Sequence, residues 1–133
     1  MIYYSAISQE LFKKLDVNNS KSVYYACKNK EYSVYDEISG KIYFYDFVDC
    51  IASKCIEFNG DQFHGNPELY NYSDCPNPFK PTLSCEEIWR LDRVKTECIK
   101  KQRNFDVLVV WEKDYRSDPD RIVSECKKFL GYD

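Results

Sequence analysis

The sequence predicts one α/β domain in which a mixed β-sheet is flanked by helices. Three observations predict this class. The chain has 133 residues, of which 44% are apolar and 31% charged, as in an ordinary globular domain. Helical and strand-like periodicities follow one another in the order helix, strand run, helix, strand, helix. The apolar run at residues 105–111 is typical of a strand covered on both faces at the centre of such a sheet.

The first half of the chain predicts a helix followed by a run of strands. Ile7, Leu11 and Leu15 share one helical face, so residues 5–15 predict a short helix. Alternating side chains bounded by turn residues predict four strands, at residues 23–28, 31–35, 42–48 and 54–58. Ser39-Gly40 is the expected hairpin turn before the third strand, and Asn59-Gly60 ends the fourth.

A long loop and a helix come next. Residues 65–83 hold four of the five prolines, so they predict a loop that is too long for a passive connection. Ser84 and Glu87 have the spacing of a capping box, which predicts a helix that begins there and ends near residues 103–104.

The last helix carries start and stop residues of its own. Asp118 is the expected N-cap, Pro119 the first helical residue and Gly131 the C-terminal stop. No internal repeat is present, and the pattern predicts a single domain over residues 1–133.

Composition excludes several classes of protein. The mean hydropathy is −0.61, and no apolar run approaches the roughly 18 residues that span a bilayer, so we expect no membrane protein. The first ten residues lack the pattern of a secretory signal, so an intracellular location is predicted. Seven irregularly spaced cysteines without a CxxC pair indicate reduced, mostly buried thiols and no zinc site. The net charge of −3 argues weakly against a nucleic-acid binder, although five bases lie between residues 93 and 103.

Two acids on neighbouring predicted strands are the first candidates for chemistry. Asp46 and Glu57 meet at one end of the sheet if their strands pair. Two carboxylates in a partly dry site repel each other, so one takes a proton or a divalent cation sits between them. Oxygen ligands favour Mg²⁺ or Mn²⁺. The alternative is that both acids are solvated residues at strand ends, as we expect for Asp49, which should face the surface.

The only histidine follows the turn after Glu57. His64 is therefore tethered near the candidate cation site, where an imidazole can take a proton from an attacking water. Asp92, in the middle of the predicted helix, is the candidate that orients His64 or a cation-bound water. The alternatives are a surface or core histidine and an exposed acid paired with a basic neighbour.

These residues form an ordered pattern along the chain. It reads D-F, nine residues, E-F-N-G-D-x-F-H-x-N-P, then E-I-W-x-x-D and V-L-V-V-W-E. The pattern resembles the very short patch repair (Vsr) endonuclease-like group, and within it the phage homing endonucleases of the EDxHD type. That group belongs to the PD-(D/E)xK nuclease superfamily, and the resemblance covers roughly residues 8–130. It implies a restriction-endonuclease-like mixed sheet flanked by helices and hydrolysis of DNA phosphodiester bonds.

The resemblance also implies roles for individual residues. Asp46 matches the central metal-binding aspartate, with Glu57 and the Phe58 carbonyl as the other metal contacts. His64 matches the histidine that acts as general base or transition-state stabiliser, and Asp92 matches the acid paired with it. Glu10, in S-Q-E-L-F, matches the leading glutamate, with a plain exposed helix acid as the alternative.

The sequence departs from the family in four respects. The aromatic wedge of Vsr proteins, two rings just before the histidine, is reduced here to Gln62-Phe63, so mismatch-specific intercalation is not expected. Asn59 stands where the wider superfamily has a lysine, so water activation is expected to depend on His64 and the cation. The zinc ligands of bacterial Vsr proteins are missing, which also predicts no zinc. No separate DNA-binding domain is expected within 133 residues. The chain would then act as a minimal nuclease, or with an accessory DNA-binding protein or a dimer partner.

The function that follows is Mg²⁺-dependent cleavage of double-stranded DNA. We expect the enzyme to nick one strand. The expected DNA contacts lie on the turn after the fourth strand and along the basic helix, and are Asn59, Gln62, Phe63, Arg93, Lys95, Lys100 and Lys101. Two alternatives stay open: a catalytically silent nuclease fold that binds DNA or protein, and a metal-dependent phosphatase with a closed pocket.

Overall fold

The structure is a computed structural model that describes residues 5–28 and 30–132. Residues 1–4, which begin the segment expected to lack an export signal, lie outside the described residues, as do positions 29 and 133. The described elements are α1 (Ala6–Leu15), β1 (Val23–Tyr24), β2 (Tyr32–Asp36), β3 (Lys41–Tyr45), β4 (Phe47–Asp49), β5 (Lys54–Asn59), α2 (Cys85–Arg103), β6 (Asp106–Trp111), α3 (Glu112–Ser117) and α4 (Pro119–Leu130). None of these helices is both long and apolar enough to cross a membrane.

The helix predictions are confirmed at their caps. The Ser84 hydroxyl accepts a hydrogen bond from the Glu87 backbone N–H at 3.3 Å, as in the first half of a capping box. The Glu87 carboxylate does not complete the box and binds Arg90 instead. Asp118 caps α4 in the same way, and Gly131 ends it in the left-handed conformation. The short helix α3 was not predicted.

The sheet is mixed, with strand order β1-β4-β5-β6, and β2 and β3 form a separate antiparallel hairpin. The predicted strand 42–48 is therefore wrong as one strand, because it divides at Asp46 between the hairpin and the sheet. At the division, backbone groups bond to side chains: the Asp46 N–H donates to the Glu57 carboxylate, and the Phe58 N–H donates to the Asp46 carboxylate. These side-chain bonds replace ladder bonds, so the chain turns from one sheet into the other.

The apolar strand β6 is not central, which corrects the sequence prediction. It pairs with β5 only, in parallel, and forms the edge of the sheet. Its two faces do pack on separate cores, Leu108 and Val110 with α1 and α4, and Val107 with α2. The open edge leaves Val109 40% exposed. The central strand is β5, whose residues after Lys54 are all buried.

The loop 65–83 is tied down at several points. The Trp89 indole N–H donates to the Gly65 carbonyl at 2.7 Å. Backbone N–H groups at the start of α2 bond to the carbonyls of Asp74 and Tyr72. Gly65 has φ +61°, and a Cβ there would lie 2.5 Å from the Cys85 sulfur, so both the backbone and the space require glycine. The loop therefore has a fixed conformation, and part of it lines a groove on the surface.

All seven cysteines lie among the described residues and are free thiols. Four are buried, Cys50 is partly buried, and Cys27 and Cys75 are exposed. The burial agrees with the prediction of mostly buried cysteines.

Candidate functional site

An open groove of about 1330 Å³, called the groove below, runs past the start of β4 and the end of β5. It is bounded by the start of α1, the turn after β5, part of the 65–83 loop, and α3. Its lining includes Glu10, Asp46, Glu57, Phe58, Phe63, His64, Phe79, Lys80, Lys95, Glu112 and Arg116. The groove thus brings together residues far apart in the sequence, from Ser5 at the start of α1 to Arg116 in α3.

Asp46 and Glu57, the acidic pair, lie side by side across the strand division. Phe47 pairs with Ile56, so the next step of that register places Asp46 beside Glu57. The Asp46 N–H donates to Glu57 Oε1 at 3.1 Å, and the Phe58 N–H donates to Asp46 Oδ2 at 2.8 Å. Burial and then repulsion by Glu57 raise the pKa of Asp46 to about 7, against the opposing effects of Lys95, the Phe58 N–H and His64. The structure therefore places the two acids as the sequence predicts.

Lys95 lies inside the groove, which corrects its expected position on the outer surface of the helix. Its ammonium donates to Glu57 Oε2 at 3.0 Å and lies 5.2 Å from the centre of the Tyr45 ring. Burial works against its charged form, but the negative charges of Glu57 and Asp46 outweigh burial and raise its pKa. Lys95 is held by an ion pair with Glu57 inside the groove, so it is not one of the free bases on the helix surface. It is instead a lysine beside the acidic pair, the feature that the sequence reading judged absent.

His64 and Asp92 are in direct contact. The imidazole Nδ1 lies 2.9 Å from Asp92 Oδ2, and the two side chains are 36% and 34% exposed. Burial lowers the pKa of His64, but the hydrogen bond and charge of Asp92, with smaller contributions from Asp46 and Glu57, raise it above the ordinary value. Because Nδ1 is engaged by Asp92, Nε2 is the nitrogen left for a ligand in the groove.

Glu10 also lines the groove, but it belongs to a different set of contacts. Its carboxylate accepts hydrogen bonds from the Tyr115 hydroxyl at 2.6 Å and from Lys14 at 3.3 Å. The hydrogen bond from Tyr115 and then that from Lys14 lower the pKa of Glu10. Its side chain is largely exposed and forms no hydrogen bond with the acidic pair. The structure thus places Glu10 at the groove without joining it to Asp46.

Glu31 is an acid that the sequence reading missed. Tyr32 pairs with Tyr45 in the hairpin, so the next step of that register places Glu31 beside Asp46. Burial and then the negative charge of Asp46 raise the pKa of Glu31, while Lys95 lowers it in part. The register of the β2–β3 hairpin would have indicated that Glu31 lies near Asp46. That register could not be derived from the sequence, because the end of β3 was not predicted.

The expected DNA contacts do not form one surface. Asn59 was predicted to contact DNA, but it is buried in β5 and its side chain is not available for such a contact. Gln62 is exposed, and its amide donates to the Pro76 carbonyl at 3.1 Å. Phe63 is partly exposed at the rim of the groove.

The three other predicted bases on α2 lie away from the groove. Arg93, Lys100 and Lys101 are exposed and are not part of its lining. Lys100 lowers the pKa of Asp106, which starts β6 at the end of the sheet opposite the groove. Apart from Lys95, these predicted bases of α2 therefore do not supply the groove with positive charge.

Asp49 is buried, which corrects the expectation of a surface acid. Its carboxylate accepts hydrogen bonds from the N–H groups of Ile51 and Ala52 at 3.0 Å, and from Ser22 and Tyr132. These bonds satisfy the charge and give Asp49 a structural role in joining β4 to the end of the chain.

The donor set suits a divalent cation that prefers oxygen ligands. Asp46 and Glu57 keep unused lone pairs, and the cysteine nearest them, Cys55, has a pKa raised well above its ordinary value by burial, so it stays a neutral thiol. Within residues 5–28 and 30–132, no group of three or more Asp, Glu, His or Cys side chains has the spacing of a complete metal site. Mg²⁺ fits such a place, because it binds through one or two carboxylates and fills its shell with water and substrate phosphate.

The chain matches no protein-family model, no curated protein and no solved structure. The resemblance to Vsr-like nucleases therefore stays a prediction that rests on the residue pattern.

Proposed function

We propose that this protein is a Mg²⁺- or Mn²⁺-dependent DNA endonuclease with a restriction-endonuclease-like arrangement of its mixed sheet. One observation carries the proposal: the groove collects an acidic pair, a lysine and a histidine–aspartate pair around the ends of two adjacent strands. This combination offers a place for a cation, a positive charge and a proton carrier within one open groove. An open groove also suits a polymer better than a small phosphate ester.

Asp46, Glu57 and the Phe58 carbonyl would hold the cation. When bound, the cation supplies Lewis acidity toward a phosphate oxygen and lowers the pKa of water. Asp46 is the residue most suited to this contact, because burial beside Glu57 makes its ionised form costly without a positive neighbour. Lys95 fixes the Glu57 carboxylate through an ion pair, and its ammonium lies in the groove where it can donate to a non-bridging phosphate oxygen.

His64 moves the proton. Asp92 holds Nδ1, so the neutral imidazole carries its proton there and presents the Nε2 lone pair to a water. The raised pKa of His64 keeps a larger share of the ring charged near neutral pH, and the charged ring donates from Nε2 to the phosphate instead. The same side chain can therefore accept the proton of the attacking water and stabilise the charge that develops on phosphate.

A plasmid assay tests the proposal. Supercoiled DNA incubated with the protein and Mg²⁺ or Mn²⁺ should be converted to the open circular form, and chelation should stop the reaction. Asp46→Asn and His64→Ala should each lower the rate at least about 100-fold, the usual scale for loss of one such group. Asp106→Asn is the matched control, since its exposed carboxylate lies at the far end of the sheet. Equal nicking by wild type and Asp46→Asn would contradict the proposal.

One observation favours the silent-fold alternative. Both oxygens of Glu57 are already engaged, Oε1 by the Asp46 N–H and Oε2 by Lys95, so the acidic pair is partly satisfied within the protein. A protein of this kind would bind DNA with the same affinity in Mg²⁺ and in chelator, and would leave the plasmid supercoiled. The plasmid assay therefore separates the two functions.

A further inference from the structure

Two exposed phenyl rings lie parallel at the rim of the groove. The rings of Phe63 and Phe79 are stacked, with centroids 6.1 Å apart and planes 6° apart. Phe79 is 82% exposed, which is unusual for a large apolar side chain that is held in a fixed orientation. Phe63 lies parallel to the Phe79 ring, and most of the Phe79 side chain remains open beside the groove.

The segment that carries Phe79 is fixed by hydrogen bonds. The Phe79 N–H donates to the Asn77 side chain at 2.9 Å, and the Lys80 N–H donates to the Asn77 carbonyl at 3.1 Å. Gln62 ties the turn that carries Phe63 to this loop through the Pro76 carbonyl. An aromatic ring that is oriented before a ligand arrives loses little conformational entropy on binding.

Two positively charged side chains line the same groove as the rings. Lys80 follows Phe79 directly and has no carboxylate within ion-pair distance among the described residues. Arg116 lines the groove from α3, with a 62% exposed side chain that is paired with Glu112. An aromatic face in a groove that also carries cations is the combination that accepts a nucleobase and its neighbouring phosphates.

We propose that the groove binds a strand of DNA at an unpaired base, which stacks on the exposed ring of Phe79 while Lys80 and Arg116 contact the flanking phosphates. Base pairs inside a continuous duplex keep both faces stacked on their neighbours, so they cannot use the Phe79 ring without being unstacked. The preferred substrate is therefore a locally unpaired strand, such as a bulge or a single-stranded segment. This inference rests on the proposed function for the chemistry, but the binding step can be measured without it.

Binding is measured in chelator, so that no cleavage occurs. The probes are a single-stranded oligonucleotide, a continuous duplex, and a duplex with one bulged base, each labelled with the fluorescent base analogue pyrrolocytosine. We expect the single strand and the bulge to bind more tightly than the duplex, with fluorescence quenched by stacking. Phe79→Ala should weaken binding to these two probes roughly 5- to 150-fold and abolish the quenching. Phe79→Trp should keep both the wild-type affinity and the quenching.

Matched variants separate the Phe79 ring and the groove cations from general effects. Tyr72→Ala removes a 64% exposed aromatic from the same loop outside the groove, and should change neither affinity nor quenching. Lys80→Gln and Arg116→Gln should each reduce the salt dependence of single-strand binding by about 0.7 in slope, whereas Lys100→Gln should leave it unchanged.

Three results would overturn the inference: Phe79→Ala binds like wild type, Tyr72→Ala loses as much affinity, or the continuous duplex binds as tightly as the bulge. Its failure is distinguishable from failure of the proposed function. Cleavage of plasmid that is indifferent to Phe79 refutes the stacking site alone. Quenching that depends on Phe79, in a protein that never cleaves DNA, refutes only the nuclease and leaves the stacking site standing.

Discussion

Replacing Asp46 by asparagine tests the electrostatics of the groove most directly. The change keeps the shape of the side chain and an oxygen that can accept the Phe58 N–H, but removes one of two adjacent negative charges. A buried carboxylate whose charged form is unfavourable makes the folded protein less stable than a neutral side chain of the same shape would. We therefore expect Asp46→Asn to raise the free energy of unfolding while it removes cation binding.

The magnitude follows from the pKa of Asp46, which rises from an ordinary 3.8 to about 7. Each pKa unit corresponds to about 1.4 kcal/mol, so the full shift would amount to about 4 kcal/mol. Water in an open groove reduces this, and we expect a gain of about 1–2 kcal/mol at pH 8. Because the folded-state pKa is raised, the contribution of Asp46 is favourable below its unfolded pKa and is lost as pH rises toward 7. The difference between variant and wild type should therefore grow over that interval and level off above it.

Urea unfolding at pH 5 and pH 8, with and without Mg²⁺, provides the measurement. Mg²⁺ should stabilise the wild type at pH 8, by about 2.7 kcal/mol at a hundred times its dissociation constant, and should leave Asp46→Asn unchanged. Asp49→Asn is the matched control, three residues further along the chain. Its carboxylate is buried and fully hydrogen-bonded, so this variant should be less stable than wild type at pH 8.

Two results would refute this reasoning. If Asp46→Asn loses stability at pH 8 as Asp49→Asn does, Asp46 is a satisfied structural acid. If Mg²⁺ stabilises wild type and Asp46→Asn equally, the cation binds elsewhere.

Three further predictions follow from individual contacts. Lys95→Met should cost about 3–5 kcal/mol in urea unfolding at pH 8, because it leaves buried carboxylates without their cation, and less at pH 5, where a proton compensates; an equal loss at both pH values would contradict this. Asp92→Asn should lower the pKa of His64, measured by NMR of this single imidazole, whereas an unchanged titration would show that the hydrogen bond does not set it. Trp89→Phe removes the hydrogen bond to the Gly65 carbonyl and should lower the rate of plasmid nicking while the free energy of unfolding changes little. Nicking at the wild-type rate would show that the loop needs no such anchor.

Much of the fold could be predicted from local patterns. α1 and α2 begin at serine caps, and α4 begins at an aspartate–proline pair, because these caps satisfy backbone N–H groups within a few residues. The strand order could not be predicted in the same way. The apolar residues of β6 are explained equally well by a central strand and by an edge strand with helices on both faces, and only the pairing partners distinguish them.

The candidate site shows the same division. The spacing of Asp46 and Glu57 on consecutive strands, and of His64 just after the second, was sufficient to expect them at one place. Lys95 was predicted to contact DNA phosphate, because it lies in a segment rich in bases. Its ion pair with Glu57 spans 38 positions and exists only because α2 packs beside β5.

The sequence by itself determined where α1, α2 and α4 lie, and which side chains can carry protons or hold a cation, because these depend on residue type and on neighbours within a few positions. Tertiary structure alone decided that the third predicted strand divides at Asp46, that Glu31 and Lys95 join the acidic pair, and that Phe79 meets Phe63. Each of these contacts depends on the distance and dielectric environment between segments far apart in the chain, and only packing sets those quantities.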